Sequence, residues 1–281
     1  MIRRTALLSA LTVSLLLSAC GKKNDDAAKE EAQAAAEVQN EDAPAEEAPA
    51  PAPPPPKADT WPVLGPLVAG TYSGACLRTP DGHKADATIT VTADGKASAG
   101  GLDIDFREAK KLMVGRTRED KDQFRTLAIF TVDDDKGGLL SLQGGVGETS
   151  VNLSKGDVGL LCSNVNAEQL NAQPLYVAFA KLMNGKKQTV SCLDTQNLLV
   201  RRDVDVAIDD GVLKIGDASY DIKTAASESV SIDDAGRSVS FGLATADKRS
   251  INLFYDGAGK LTSVMGMSDQ GATHSCKLKE G

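Results

Sequence analysis

Ala75-Cys76-Leu77 returns 116 residues later as Ser191-Cys192-Leu193. The same displacement sets Gly95 on Gly211 and Asp105-Phe106 on Asp221-Ile222. Further along, a displacement of 122 sets Gly137 on Gly259, Leu139 on Leu261, Ser141 on Ser263 and Leu142 on Val264. Cys162 then matches Cys276 at a displacement of 114. Each match is weak alone, but two cysteines and a turn agree at similar offsets, which is the mark of a duplicated unit. Two copies are predicted, each with a cysteine in its first strand and another in its last. Four cysteines allow three pairings. The duplication favours Cys76–Cys162 and Cys192–Cys276, which close segments of 86 and 84 residues. Each such loop carries an entropic stabilisation of about 4–5 kcal/mol in the chain-entropy model. One continuous β domain with crossed disulfides is the alternative.

Within each copy the hydrophobic period is two. Ile89 and Val91 alternate with Thr88, Thr90 and Thr92; Val204, Val206 and Ile208 alternate with Asp203, Asp205 and Ala207. Val239, Phe241 and Leu243 alternate with Ser238, Ser240 and Gly242. Alternation with β-branched residues predicts half-buried antiparallel strands. Asp94-Gly95, Asp210-Gly211, Asp233-Asp234-Ala235-Gly236 and Asp256-Gly257 supply turns. One helix is expected, opening at Pro174 and stopping at Asn184-Gly185, with Leu175, Val177 or Ala178, Phe179 and Leu182 near one face. The expected fold is therefore mainly β. It has two tandem antiparallel units, barrel- or sandwich-like, each closed by a disulfide and joined by one short helix. The boundaries are 61–165 for unit 1, 166–186 for the helix and 187–281 for unit 2.

The N-terminal end has another character. Arg3 and Arg4 precede an apolar run over residues 6–17, followed by Leu17-Ser18-Ala19-Cys20. The run is shorter than the about 20 apolar residues that span a bilayer. Charge, apolar run and small residues stand in the order of a secretory signal. Leu17-Ser18-Ala19-Cys20 resembles the lipobox of bacterial lipoprotein precursors. The resemblance implies removal of residues 1–19, a thioether-linked diacylglycerol on Cys20 and an acylated amine, with palmitate as the expected acyl group. Three chains exceed the two needed for stable anchoring. In that family Asp after the cysteine favours the inner membrane; Gly21 stands here, which implies the outer membrane, facing the periplasm. An ordinary signal peptide is the alternative. An oxidising compartment fits the two disulfides.

Residues 20–60 form an expected tether. They are rich in Ala, Glu and Pro, end near Pro53-Pro54-Pro55-Pro56 and hold few large apolar side chains. Such a composition cannot offset the entropy of ordering, and its proline-rich part extends by about 3.1 Å per residue.

The chain of 281 residues carries a net charge of −8, which argues against nucleic acid as a partner. His83 and His274 are its two histidines. His274 stands near Cys276, but a disulfide sulfur is not a thiolate ligand. Asp133-Asp134-Asp135-Lys136-Gly137-Gly138 lacks the ligand alternation and closing Glu of a calcium loop and reads as a turn. None of the motifs of nucleophilic, metal-dependent or nucleotide chemistry stands out. No catalytic residue, cofactor or metal site is expected. Aromatic residues make up 4% of the chain, with Trp61 the sole tryptophan, which disfavours a surface built on stacked rings.

A lipid-anchored β unit with cysteines in its first and last strands is similar in layout to the membrane-bound inhibitors of c-type lysozyme. Ala97-Ser98-Ala99-Gly100-Gly101 resembles that family's small-residue loop, while the Tyr and Trp of its motif are absent. The resemblance implies a protein-binding role. The expected function is a non-enzymatic binding or envelope-organisation module, held to the membrane through Cys20 and meeting an envelope protein or a cell-wall component. An inhibitor of a wall-degrading enzyme such as lysozyme, or an envelope hydrolase, is the alternative.

Overall fold

Val239, Phe241 and Leu243 are buried and the residues between them are not, so the period of two read in the sequence is the period of the sheet. A computed structural model describes residues 53–279 except 55, 108, 121–122, 133–136, 146–147, 168–169, 171–173, 183–186, 195–199 and 234–235. Cys20, the signal segment, most of the tether and the acidic stretch 133–136 lie outside the described residues.

The first copy opens with a helix, α1 (Trp61–Val68). Nine strands follow: β1 (Gly70–Thr79), β2 (Lys84–Val91), β3 (Lys96–Ala99), β4 (Leu102–Asp105), β5 (Lys111–Asp120), β6 (Gln123–Val132), β7 (Gly138–Gly144), β8 (Ser150–Lys155) and β9 (Val158–Ser163). The second copy runs in the same order among the described residues. Helix α2 (Leu175–Leu182) is followed by β10 (Gln188–Leu193), β11 (Arg201–Asp209), β12 (Val212–Ile215), β13 (Ala218–Asp221) and β14 (Ser227–Asp233). Then come β15 (Ser238–Ala244), β16 (Ser250–Asp256), β17 (Leu261–Ser268) and β18 (Gly271–Leu278).

All strands belong to one antiparallel sheet. In the first copy the residue ladders run β4-β3-β2-β1-β9-β8-β7-β6-β5. In the second they run β13-β12-β11-β10-β18-β17-β16-β15-β14. Each copy coils on itself. In the first, β3 and β4 lie against β8; in the second, Tyr220 of β13 reaches His274 of β18. The copies meet where β5 pairs with β14. Buried apolar residues of both form one continuous core.

The β5–β14 ladder is self-complementary. Val114 faces Val230, Leu112 faces Ile232 and Arg116 faces Glu228. Under the displacement of 116 residues, Leu112 corresponds to Glu228, Val114 to Val230 and Arg116 to Ile232. The pairing therefore maps onto itself about the Val114–Val230 pair, as a two-fold interface does between identical subunits.

Two helices are present where one was expected. Pro62 sits in the first turn of α1, and Leu64, Leu67 and Val68 bury the spacing of a helical face. The helix closes the first copy through Trp61. Its indole N–H donates to the Phe106 carbonyl at 3.2 Å, and its ring meets Phe130 edge-on with centroids 5.4 Å apart. Gly95, at φ +91°, lets the indole lie against the β2–β3 turn; a Cβ there would come within 2.7 Å of the ring. Helix α2 buries Leu175, Ala178 and Phe179, and Phe179 stacks on Phe241 at 4.5 Å. The two helices touch each other beside the seam.

The duplication holds in its first part and shifts in its second. Phe106 N–H donates to Gly95 O, and Ile222 N–H donates to Gly211 O, the same bond in both copies. Asp105 and Asp221 each accept the backbone N–H two residues on. The displacement of 122 is a correction. Strand order sets β7 on β16 and β8 on β17, so Gly137 and Gly259 stand before different hairpin strands. Alternating strands that follow a glycine turn look alike, and the match slipped by one strand.

Both disulfides form as expected. Cys76–Cys162 and Cys192–Cys276 join directly opposed residues of neighbouring antiparallel strands. Their Cα atoms are 3.9 Å apart in both, nearer than the usual range of about 4.4–6.8 Å. Each ties the first strand of a copy to its last. Replacing either pair by serines should cost about 2–5 kcal/mol. Because the closed segments are 86 and 84 residues long, guanidinium unfolding of the two double variants should show similar losses. No loss for one pair would mean that the ladder alone holds that end.

Candidate functional site

Two places depart from the symmetry of the copies, and both replace apolar residues with polar ones. The first is beside the second disulfide. Leu160, two residues before Cys162, is buried, and its Cδ1 lies 3.2 Å from where a Cβ on Gly100 would stand. Ile104 is buried in β4. Both positions of the first copy are apolar and buried.

The second copy carries His274 in place of Leu160 and Tyr220 in place of Ile104. The Tyr220 hydroxyl and His274 Nε2 are 2.7 Å apart, and the Arg249 guanidinium stands 5.0 Å from the centre of the Tyr220 ring. Beside them opens a groove of ≈ 720 Å³, lined by Arg202, Val204, Ile215, Ala218 and His274 among others. That volume falls within the range of small-molecule sites, about 300–1,000 Å³. Three carboxylates of its rim are paired: Arg202 meets Asp194 at 2.7 Å, Lys187 meets Asp205 at 2.7 Å and Lys279 meets Asp203 at 2.6 Å. Burial holds the His274 imidazole below its ordinary value, and Arg249 adds to the effect.

The second place is the seam. Arg116 and Glu228 face each other in the ladder, with 4% and 8% of their side chains exposed. Arg116 Nη1 lies 3.6 Å from Glu228 Oε1. Arg116 Nη2 donates to Leu170 O at 3.1 Å, and its Nε donates to Thr126 Oγ1 at 3.4 Å. Glu228 Oε1 also accepts the N–H of Leu175, the first residue of α2, at 3.1 Å. A carboxylate suits that helix end because free N–H groups point at it. Burial pushes the Glu228 carboxyl above its ordinary value, opposed by the Leu175 N–H and then by Arg116. Burial likewise lowers the Arg116 guanidinium, opposed by Glu228; arginine stays charged through such a shift.

A cavity of ≈ 310 Å³ adjoins this pair, walled by Arg118, Phe124, Tyr176, Lys223 and Glu228 among others. Arg118 donates to the carbonyls of Ala225, at 3.1 Å, and of Lys223, and stacks over Phe124 at 4.5 Å. At the matching place in the first copy, Leu112 and Arg107 stand beside Trp61 and residues 57–60.

The histidines separate. His83 lies exposed in the β1–β2 turn, where its backbone N–H donates to Asp81. His274 lies in the groove. Ala97-Ser98-Ala99-Gly100-Gly101 forms β3 and its turn, with Ala97 and Ala99 in the core. Among the described residues, no three His, Cys, Asp or Glu side chains are placed to hold a metal ion. Sequence reading passed over Arg116, Tyr220 and Glu228. The signal was there: each is the polar member of a pair whose counterpart, by the duplication, is Ile232, Ile104 or Leu112.

Two outcomes are expected. Glu228→Leu leaves a buried arginine without its carboxylate and should cost about 3–5 kcal/mol in urea unfolding. Adding Arg116→Ile restores the residues found at the symmetry-related positions and should recover most of that loss; no recovery would show that the pair has no equivalent apolar packing. The second outcome concerns pH. The folded His274 pKa lies below the ordinary 6.5, so the unfolded chain takes up a proton first as pH falls. This group therefore supports the fold above pH about 6.5, and that support is lost as pH drops toward the folded value. Melting temperature should fall more steeply between about pH 7.5 and 5 in the natural protein than in His274→Gln. Equal slopes would remove the group from the account.

No protein family, curated protein or solved structure matches the chain, so the reading of both places rests on their geometry.

Proposed function

We propose that the chain is a non-catalytic binding module of the bacterial envelope, anchored by a lipidated Cys20 in the outer membrane and held in the periplasm by residues 20–60. The observation that carries the binding reading is the divergence at the second disulfide. One fold is built twice; the first copy buries Leu160 and Ile104 at these positions, and the second places His274, held by the Tyr220 hydroxyl, in the wall of a polar groove. Stability alone gives no reason for the second copy to abandon apolar packing that the first copy uses on the same scaffold. Concave sites with a few convergent polar groups are where ligands bind. The signal segment and Leu17-Ser18-Ala19-Cys20 support the anchor.

His274 gives the rival hydrolase reading its simplest form. Its Nε2 is engaged by a tyrosine hydroxyl, an arrangement that fixes the ring without activating a serine or water. An inhibitor of a wall-degrading enzyme remains a special case of the binding module, favoured by two β units each tied from first strand to last.

Crosslinking in intact envelopes, with mass spectrometry of the captured protein, tests the proposal. Cys20→Ser should release the protein from the membrane fraction and lose the partner. His274→Leu, which installs the first copy's residue, should keep the anchor and lose or weaken the partner. A partner retained in full by His274→Leu would remove the groove from the reading. The purified full chain at large excess should slow lysozyme if the inhibitor case holds; an unchanged rate would end it.

A further inference from the structure

One departure from the symmetry of the copies runs the other way and puts apolar side chains on the surface. Met265 and Met267 stand on β17, 55% and 52% exposed. They are the two most exposed large apolar side chains among the described residues. Gly266 between them is buried, so both methionines leave the outer face of the sheet. The cysteines fix their counterparts in the first copy. Val264 faces Cys276 across the ladder as Val151 faces Cys162, so Met265 corresponds to Asn152 and Met267 to Ser154. The first copy carries polar residues there, as the solvent face of an antiparallel sheet does.

Packing gives no account of the change. Directly opposite the methionines are Ser250 and Asn252 of β16 and Ala272 and Ser275 of β18, none of them a large apolar group. Gly266 has a reason of its own, because a Cβ there would come within 2.9 Å of the His274 ring. That reason lies on the inner face and does not extend to the methionines.

The chemistry of the pair is narrow. A thioether is a soft, uncharged donor with no proton to lose. Zinc takes thiolate, imidazole or carboxylate, and calcium and magnesium take oxygen. Soft sulfur ligands of the thioether kind suit Cu(I). Alternate residues of a strand have Cα atoms about 6.6 Å apart. With metal–sulfur bonds of about 2.3 Å, two sulfurs that share an ion stand within about 4.6 Å of each other. An unbranched side chain with three rotatable bonds can close that gap from each side.

We infer that Met265 and Met267 form a surface site for one soft monovalent metal ion of the Cu(I) class. Each sulfur supplies a lone pair. Two protein ligands on an open face leave the ion accessible to a further donor from outside, so the site suits passing an ion on. The inference rests on neither the groove nor the anchor.

Silver(I), a redox-inert ion of the same charge and softness, is the probe. Isothermal titration in chloride-free buffer, with the methionine methyl signals followed by NMR, tests the site on the full chain carrying Cys20→Ser. That substitution removes the single thiol outside the disulfides. One silver ion per chain should bind with a Kd at or below about 10 μM, and the Met265 and Met267 methyl signals should move together. Met265→Asn combined with Met267→Ser installs the first copy's residues on an exposed face. It should leave the melting temperature unchanged and weaken silver binding by about 100-fold or more. Each single substitution should weaken it by about 10-fold or more, because a shared ion needs both sulfurs. No binding up to about 100 μM silver overturns the inference. So does binding that the double variant keeps. Single variants that each retain full affinity also overturn it, since they mark two independent thioethers. Binding lost in His274→Gln but kept in the double variant would place the ion in the groove instead.

Discussion

The β5–β14 ladder is the constraint on which the rest of the structure depends. Without it each copy is a coiled sheet with one long unpaired edge, an invitation to other strands. With it, seven residues of β14 pair with seven of β5, and the sheet runs unbroken from one copy into the other. The same contact brings α1 and α2 together and merges the two interiors into one core. A chain of this size gains from that merger, since a larger core buries a larger share of its surface. The disulfides act at a different point. They tie first strand to last within each copy, away from the seam, so covalent and non-covalent constraints hold different junctions.

Duplication followed by divergence explains where polar chemistry sits. The two copies share turns, capping aspartates and ladder order, and these are the parts that backbone geometry dictates. They differ where side chains meet across the interior. Trp61 with Phe130 fills one copy, and Phe179 with Phe241 fills the other. Leu160 and Ile104 become His274 and Tyr220; Leu112 becomes Glu228. A fold that holds leucine at one position and glutamate at its counterpart shows, within one chain, that backbone geometry alone does not dictate the residue there; its partner does, Ile232 for Leu112 and Arg116 for Glu228. That internal comparison points to the groove and to the Arg116–Glu228 pair.

Much of the architecture was legible in the sequence because period and spacing are local. The strands with alternating valines, the Asp-Gly turns and both cysteine pairs could be read directly. Helix α1 was missed because an eight-residue segment with two prolines and a glycine has little intrinsic helix preference; burial of Trp61, Leu64, Leu67 and Val68 holds it. The second displacement slipped by one strand because hairpins repeat the same pattern every few residues. The join between the copies was invisible for another reason. Nothing local in Lys111–Asp120 says that its edge pairs with Ser227–Asp233, more than a hundred residues away. The sites followed suit: Arg116 and Glu228 become a pair only once those edges meet, and Tyr220 reaches His274 only once the sheet has coiled.

The Arg116–Glu228 pair also decides which edge meets which. The ladder is symmetric about Val114 and Val230, so its geometry alone would accept β5 against another β5, or β14 against another β14. In the first case Arg116 would face Leu112 twice, and in the second Glu228 would face Ile232 twice. Each arrangement buries two like charges without partners, at a cost of several kcal/mol per ion. The β5–β14 register alone pairs them. An apolar pair in their place would hold the seam about as well, but it would not distinguish the two edges. Two molecules meeting before either has closed its seam can exchange edges only as β5 with β14, the pairing that each makes within itself. The buried ion pair thus contributes selectivity, whereas the strength of the seam comes from Leu112, Val114, Val230, Ile232 and the two helices beside them.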